Sequence, residues 1–380
     1  MKIVFTTHTY YPEKNGVQVV TEYLAEGLAK KGHEVHIITE MLSGEKKEDI
    51  HNEVNINRVV AKVVHTFNIG EKKEFQELLL EKCKNADALI NVCTQTALTD
   101  WSFPVLNKIS CKKVLYLHGI IDLKINKNDF TSIPTLSHKI WNCLRYKLYY
   151  MRAGKYFKMY DLVTQLHTFD RGYRFFEKKY GIKSVVMGNA AENTFFNHVS
   201  QICKDYILSV ANYLPIKNQE MLLQAFYKSN LPENAKLILI GSTKNSYYSK
   251  LINLKQQLDC QYGTRNVELL TGVPRTDIYK YTKEAKIYLL GSRAEMFPIS
   301  IIEAMASGIP FISTDVGCVK YLPGGVVVDK IDEMSYWLEL LWNNEKVRSN
   351  LGAVGYNYAR KYFTIENKVE QLEQLIGGNI

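Results

Sequence analysis

Short apolar, largely β-branched runs alternate along the chain with stretches whose apolar positions recur every three or four residues. Lys2–Thr6 is the first such run, and Val17, Val20, Leu24 and Leu28 follow at helical spacing. Gly32 stands where a helix would stop, and Glu34–Thr39 is the next run. Together they read as one β-α-β unit. Further strands are predicted at Arg58–Val64, Ala86–Val92, Lys113–Leu117, Asp161–Gln165 and Ser184–Met187, with amphipathic stretches such as Glu71–Lys84 and Thr168–Lys179 between them. A polar segment, Asn189–Lys204, interrupts the pattern. It restarts with Tyr206–Ala211, Lys236–Ile240, Val267–Leu270, Lys286–Leu290 and Phe311–Thr314, and Tyr356–Ile376 reads as helical. Regular alternation of this kind predicts parallel, helix-covered sheets, here in two Rossmann-like halves with a hinge near 190–204.

Composition agrees with two ordinary globular domains. The chain has 380 residues, 46% hydrophobic and 23% charged, which argues against disorder. Its seven cysteines (Cys83, Cys93, Cys111, Cys143, Cys203, Cys260 and Cys318) are odd in number, and none forms a C-x-x-C pair. Neither a disulfide framework nor a zinc knuckle is indicated, and a cytoplasmic setting is expected. Met1-Lys2 leads directly into Ile3-Val4-Phe5 without the design of a signal peptide.

The net charge of +9 changes this picture because it is uneven. Residues 1–199 carry 28 Lys/Arg against 21 Asp/Glu, and residues 200–380 carry 20 against 18. Between Asp129 and Asp161 there is no acid, yet Lys139, Arg145, Lys147, Arg152, Lys155 and Lys158 are interleaved with Trp141, Leu144, Leu148, Tyr149, Met151, Tyr156 and Phe157. As a helix, 138–160 could lie on an anionic membrane surface, making the protein peripheral on the inner face of the cell membrane. It also reads as a buried helix whose bases reach outward to water. No recognised module accompanies the charge, so nucleic acid is not an expected partner.

Open parallel sheets bind ligands beyond the carboxyl ends of their strands, so the loops after strands hold the chemistry. One of them runs Gly291-Ser292-Arg293-Ala294-Glu295-Met296-Phe297-Pro298 and passes into Ile299-Ser300-Ile301-Ile302-Glu303. Pro298 can open a helix, whose free N–H groups and positive dipole end suit a diphosphate. Two carboxylates at its mouth, Glu295 and Glu303, can accept hydrogen bonds from vicinal hydroxyls of a sugar or a ribose. Taken alone, they also read as a solvated loop acid and a surface helix residue.

Their surroundings supply more. Glu295-x7-Glu303 with Phe297 and Pro298, followed by Glu303-Ala304-Met305-Ala306-x-Gly308-x-Pro310 and Ser313-Thr314-Asp315-Val316-Gly317, resembles the signature of retaining glycosyltransferases of family 4. The segment Ile207–Gln219 is similar to the family's strand and loop that bring an Arg and a Lys to the donor phosphates. Lys217 matches the Lys, whereas Asn212 stands at the Arg position. Val185–Glu192 resembles the interdomain segment but lacks the glycine after Asn189, and it reads as a hinge only. Tyr11-Pro12-Glu13-Lys14-Asn15-Gly16-Val17 is similar to the family's Pro-to-Gly loop, where Gly16 leaves backbone N–H groups open to a donor; it also reads as an ordinary turn. His118-Gly119 stands where the family commonly has a histidine close to the transferred sugar, and Gly272-Val273 resembles the base-binding turn.

The resemblance covers nearly the whole chain and implies an α/β GT-B fold, two Rossmann-like domains with parallel sheets facing a central cleft. Residues 1–195 would bind the acceptor and 200–355 the donor, with a C-terminal helix at about 356–380 packed back on the first domain. The implied activity is metal-independent transfer of a hexose-type sugar, with retention, from a nucleotide-diphosphate sugar to a glycan or lipid-linked sugar acceptor, in bacterial surface polysaccharide or glycolipid assembly. Glu295, His118 and Lys217 would be catalytic; Gly16, Asn212, Lys217, Val273, Phe297, Pro298, Ile299, Ser300 and Glu303 would hold the donor. No cofactor beyond this co-substrate and no metal ligand is implied.

Two alternatives remain at this level. One is a GT-B enzyme that hydrolyses or epimerises a nucleotide sugar. The other is a non-catalytic, membrane-associated donor-binding subunit, which Asn212 favours and the retained Glu295, Glu303 and Lys217 oppose. Other motifs fail. Gly27–Gly32 has phosphate-loop glycine spacing, but His33 and Glu34 replace the Lys and Ser/Thr. No G-x-G-x-x-G follows either first strand, and neither Asp-x-Asp nor zinc spacing occurs.

Overall fold

The computed structural model describes residues 1–12, 16–64, 67–120, 133–197 and 203–378. Contacts divide the chain into two units, Met1–Gly188 with Val369–Ile380, and Asn189–Lys368.

The first unit contains β1 (Lys2–Thr7), β2 (Glu34–Glu40), β3 (Glu48–His51), β4 (Val54–Val59), β5 (Ala61–Val64), β6 (Phe67–Gly70), β7 (Ala88–Val92), β8 (Lys112–Tyr116), β9 (Leu162–Gln165) and β10 (Val185–Val186). Eight of them form one sheet in the order β10-β9-β8-β7-β1-β2-β4-β3, while β5 and β6 make a separate hairpin. All sheet neighbours are parallel except the edge strand β3, which runs antiparallel to β4. Helices cover a parallel sheet on both faces, so its central strands read as continuous apolar runs; β7 is buried at every position. The helix Gly16–Lys30 buries Val20, Leu24 and Leu28 and ends as expected at Gly32, which takes φ +85° while its N–H donates to Ala29 O at 2.8 Å.

The second unit contains β11 (Tyr206–Val210), β12 (Lys236–Gly241), β13 (Asn266–Thr271), β14 (Ile287–Leu290), β15 (Phe311–Thr314) and β16 (Gly325–Val328), all parallel in the order β13-β12-β11-β14-β15-β16. The chain moves outward from β11 to β13 and then returns to the other side of β11. The strand order therefore reverses between β11 and β14, which opens a crevice at their carboxyl ends. The first unit reverses in the same way between β1 and β7. Leu222 and Phe226 of the helix Gln219–Lys228 share a buried cluster with Leu338 and Leu341 of the helix Ile331–Asn343, fixing one face of the second sheet.

Two predicted elements need correction. Arg58–Val64 is not one strand: Val60 N–H donates to the Glu71 carboxylate at 3.1 Å and Val60 O accepts from Glu71 N at 2.8 Å. Those bonds remove Val60 from the ladder, so β4 ends before it and β5 enters the hairpin. Buried Arg58 hid the strand period: its guanidinium donates to Tyr11 O at 2.8 Å and Lys46 O at 3.0 Å. Tyr356–Ile376 is the end of one helix, Glu345–Tyr362, and most of another, Ile365–Gly377. The break has a partner, since Phe363 O accepts from Ala191 N at 2.9 Å. Strands β3, β6 and β16 were not predicted; each has only four residues. Within the predicted hinge, residues 198–202 lie outside the described residues.

Only the chain from Val369 onward joins the first unit, rather than all of 356–380. Glu373 accepts from His33 Nε2 at 2.7 Å and pairs with Lys31, and Gln371 Nε2 donates to Val186 O at 2.8 Å. Gly27 permits this approach, because a Cβ there would lie 2.3 Å from Val369 Cγ2. Gly27→Ala should therefore destabilise the protein by ~1–3 kcal/mol through overpacking, although alanine is the better helix former by roughly 1 kcal/mol. Adding Val369→Ala should recover part of that loss in denaturant unfolding. A Gly27→Ala protein as stable as wild type would show that the C-terminal helix is not tightly seated.

Candidate active site

The β11/β14 reversal places two loops together. Leaving β11, the chain passes Asn212 and makes a short turn at Pro215–Lys217 before Asn218, which adopts φ +51° and opens the next helix. Asn218 tolerates the left-handed region better than most residues and uses both ends of its amide. Its Nδ2 donates to Gly291 O at 3.1 Å, and its Oδ1 accepts from the Arg293 guanidinium at 3.2 Å. Arg293 N–H also donates to Ile216 O at 2.8 Å. The loops after β11 and β14 are thus laced together through backbone and amide.

That lacing brings Lys217 to Glu295. Lys217 Nζ lies 2.6 Å from Glu295 Oε1, with the side chains 25% and 14% exposed. The same carboxylate oxygen accepts from Ser292 Oγ at 2.8 Å. Gly317, at φ +55°, supports the loop from below: a Cβ there would lie 2.4 Å from Met296 O. Phe297 and Pro298 are buried, and Asn189 Nδ2 donates to Phe297 O at 3.2 Å. Pro298 then caps the eight-residue helix Ile299–Ala306, so the leading N–H groups at Ile299 and Ser300 stand at its amino end.

Glu303 lies further along this helix and is 4% exposed. Its carboxylate pairs with the Arg275 guanidinium, which also donates from Nε to Glu192 at 2.8 Å. Burial pushes the Glu303 carboxyl above the usual carboxylate range, and Arg275 pulls part of that shift back. Nearby, Asn212 and Val273 line a recess of ≈ 200 Å³ with Gly241, Ser242 and Gly272. Gly272 takes φ +68° with its N–H on Ser242 O at 3.2 Å. Tyr213 packs against Gly241, where a Cβ would lie 2.4 Å from its Cδ2, and its one hydroxyl proton is shared between Leu239 O at 2.8 Å and Leu270 O at 2.9 Å.

The structure thus brings together Asn212, Lys217, Val273, Glu295, Phe297, Pro298, Ile299, Ser300 and Glu303 in the second unit. His118 and Gly16 belong to the first. His118 follows β8, and burial lowers its pKa to about 4, so the imidazole is neutral at pH 7. Gly16 opens the helix Gly16–Lys30, and Glu13–Asn15 of its predicted loop lie outside the described residues. Cys93 follows β7 beside the backbone of His118; burial raises this thiol to about 12, so it is no thiolate.

Sequence reasoning missed Ser292, Asn218 and Arg275. Arg275 left a signal. It is the first residue of the helix Arg275–Glu284, where the positive end of the helix dipole disfavours a cation unless an acid faces it.

Comparisons with known proteins bear on both units. Residues 191–355 match the family model described as "Glycosyl transferases group 1", and residues 14–164 match "Glycosyltransferase Family 4". The chain is a GT-B glycosyltransferase. It is 23% identical over 389 aligned positions, covering 97% of this chain and 95% of the other, to N-acetyl-alpha-D-glucosaminyl L-malate synthase of Bacillus anthracis. Sucrose-phosphate synthase from Thermosynechococcus elongatus shares the fold with TM-score 0.74 at 15% identity, with 98% of this chain and 97% of that chain covered. Anabaena HepE in complex with UDP and glucose does so with TM-score 0.70 at 14% identity over 100% of both chains. Among the described residues of this glycosyltransferase, Glu22, Glu26 and His51 could hold a metal ion; none belongs to the site above.

Replacing Arg275 by Met removes the cation that offsets burial of Glu303. The Glu303 carboxyl should then ionise only at higher pH than in the wild type, read by carbon-13 NMR of labelled glutamate. An unchanged titration would show that Arg275 does not set its charge.

Proposed function

We propose that this glycosyltransferase moves a hexose-type sugar from a nucleotide-diphosphate sugar to an acceptor hydroxyl, with retention and without a metal. The contact of Lys217 with Glu295, beside the amino end of the helix Ile299–Ala306, carries this reading. As the glycosidic bond breaks, its electron pair leaves with the nucleoside diphosphate, and positive charge spreads over the ring carbon and oxygen. Negative charge on the diphosphate grows in the same step. Fixed donors aimed there stabilise the transition state more than the ground state.

Lys217 and the N–H groups of Ile299 and Ser300 fill that role. Glu295, oriented by Ser292, receives sugar hydroxyls and supports the developing cation. Glu303, paired with Arg275, accepts hydrogen bonds from the two ribose hydroxyls, and the recess at Asn212 and Val273 receives the base. The acceptor hydroxyl attacks from the face the diphosphate leaves, and a departing phosphate oxygen takes its proton, so no protein nucleophile is required.

A role in surface polysaccharide or glycolipid assembly, at the inner face of the cell membrane, is supported by the first unit. The base-rich stretch is the helix Ile133–Phe157, which buries Cys143, Tyr150, Ala153 and Phe157. Trp141, Leu144, Leu148 and Met151 remain exposed on one side, which a purely structural helix would not need. Among the described residues no helix is long and apolar enough to cross a membrane.

Because Asn212 brings no charge, Lys217 is the principal cation for the phosphates. Lys217→Ala should lower turnover ~10²–10³-fold, the scale of a lost oxyanion-type donor, and chelator should leave wild-type turnover intact. A loss of only a few-fold, or chelator inactivation rescued by magnesium or manganese, would contradict the proposal. Transfer with inversion would contradict the stereochemistry.

A further inference from the structure

A groove of ≈ 700 Å³ opens in the first unit between the β5–β6 hairpin, the helix Ile133–Phe157 and the turn after β7. Its walls are apolar and open to water. Phe67 of the hairpin is 72% exposed, and Trp141, Leu144 and Leu148 face it from the helix at 62%, 50% and 41%. The spacing of those three residues puts them on one stripe. Arg145 and Arg152, seven residues apart, line the same groove. Its floor is polar. Tyr149 donates to Asp100 at 2.6 Å and accepts from Gln95 N at 3.1 Å, while Asn68 donates to Asp100 at 3.2 Å.

Two features tie this groove to function rather than to leftover surface. The turn at its floor follows β7, where the strand order of the first sheet reverses, the place at which such sheets bind ligands. That turn is strained as well: Cys93 and Gln95, neither of them glycine, hold φ +63° and +64°. Strain of this kind costs on the order of 1–3 kcal/mol per residue and persists at binding sites.

We propose that the groove binds the lipid portion of the acceptor, an apolar chain joined to a phosphate or diphosphate. The chain lies between Phe67 and the Trp141–Leu144–Leu148 stripe, and Arg145 and Arg152 receive the anion. This rests on the glycosyltransferase reading above and selects a lipid-linked acceptor over a free glycan. A bilayer surface alone would use the exposed stripe but not a concave groove with a polar floor. A free glycan would leave the apolar walls unexplained.

Farnesyl diphosphate below its micelle concentration is the probe, followed by isothermal titration calorimetry on the full chain. The wild type should bind it. Inorganic diphosphate and farnesol should each bind at least tenfold more weakly, since each supplies only half of the match. Arg145→Glu with Arg152→Glu should weaken farnesyl diphosphate binding at least tenfold, as should Leu144→Asp, with thermal melts confirming folding. Lys217→Ala should leave it unchanged. Equal binding by the arginine variant, or loss of binding in Lys217→Ala, would overturn the proposal, the latter by locating the probe in the donor site. Binding to anionic vesicles without any response to farnesyl diphosphate would also overturn it, leaving bilayer adsorption as the role of this face. Nucleotide-sugar binding to the same samples separates the two readings: a normal donor response without a farnesyl diphosphate response defeats the groove alone.

Discussion

The second unit depends on the lacing of the loops that follow β11 and β14. A parallel sheet whose strand order reverses must leave a crevice at that point, and something must fix its two lips. Asn218 does so through both ends of its amide, and Arg293 N–H adds a bond to Ile216 O. Lys217 and Glu295 then meet at 2.6 Å although 78 positions separate them in sequence. Neither loop would hold its charged side chain in place alone. With both fixed, a cation, a carboxylate and a helix amino end converge on one small volume, and little reorganisation remains when charge develops there.

Burial sets how the charges in this unit behave. Glu303 sits on a short helix whose other inward residues are apolar, and isolation there would favour its neutral acid. Arg275 opposes this from outside the helix, at the cost of placing a guanidinium in a first helical turn. The arginine is bound to Glu192 too, so it holds two acids at once. Lys217, partly exposed beside Glu295, is in a different situation: it keeps enough access to meet a second anion. One glutamate is thus locked by its partner, and the other shares a cation that a phosphate can also use.

Much of this was legible in the sequence, for identifiable reasons. Strands buried on both faces announce themselves as apolar runs, so most strands were located within one or two residues. The Glu295–Glu303 stretch was conspicuous because its spacing and its Pro298 fit a strand-loop-helix. The failures share a cause, which is tertiary bonding that no local pattern records. Val60 leaves its strand because Glu71 takes both its backbone groups, and the last helix breaks where Phe363 O meets Ala191 N. Arg275, Ser292 and Asn218 act through residues distant in sequence, and only the unfavourable dipole position of Arg275 hinted at its role. The hairpin beside the exposed helical stripe was hidden in the same way, since β6 is four residues long and only the fold sets Phe67 opposite Trp141.

The central claim is that the laced loops of the second unit form the diphosphate site. A structure of the protein with a bound nucleotide-diphosphate sugar tests it most directly. The account predicts a phosphate oxygen at ~2.7–3.2 Å from Lys217 Nζ and another on the Ile299 or Ser300 N–H, with the ribose hydroxyls on Glu303. A nucleotide bound elsewhere, with Lys217 still paired only to Glu295 and Glu303 only to Arg275, would contradict it.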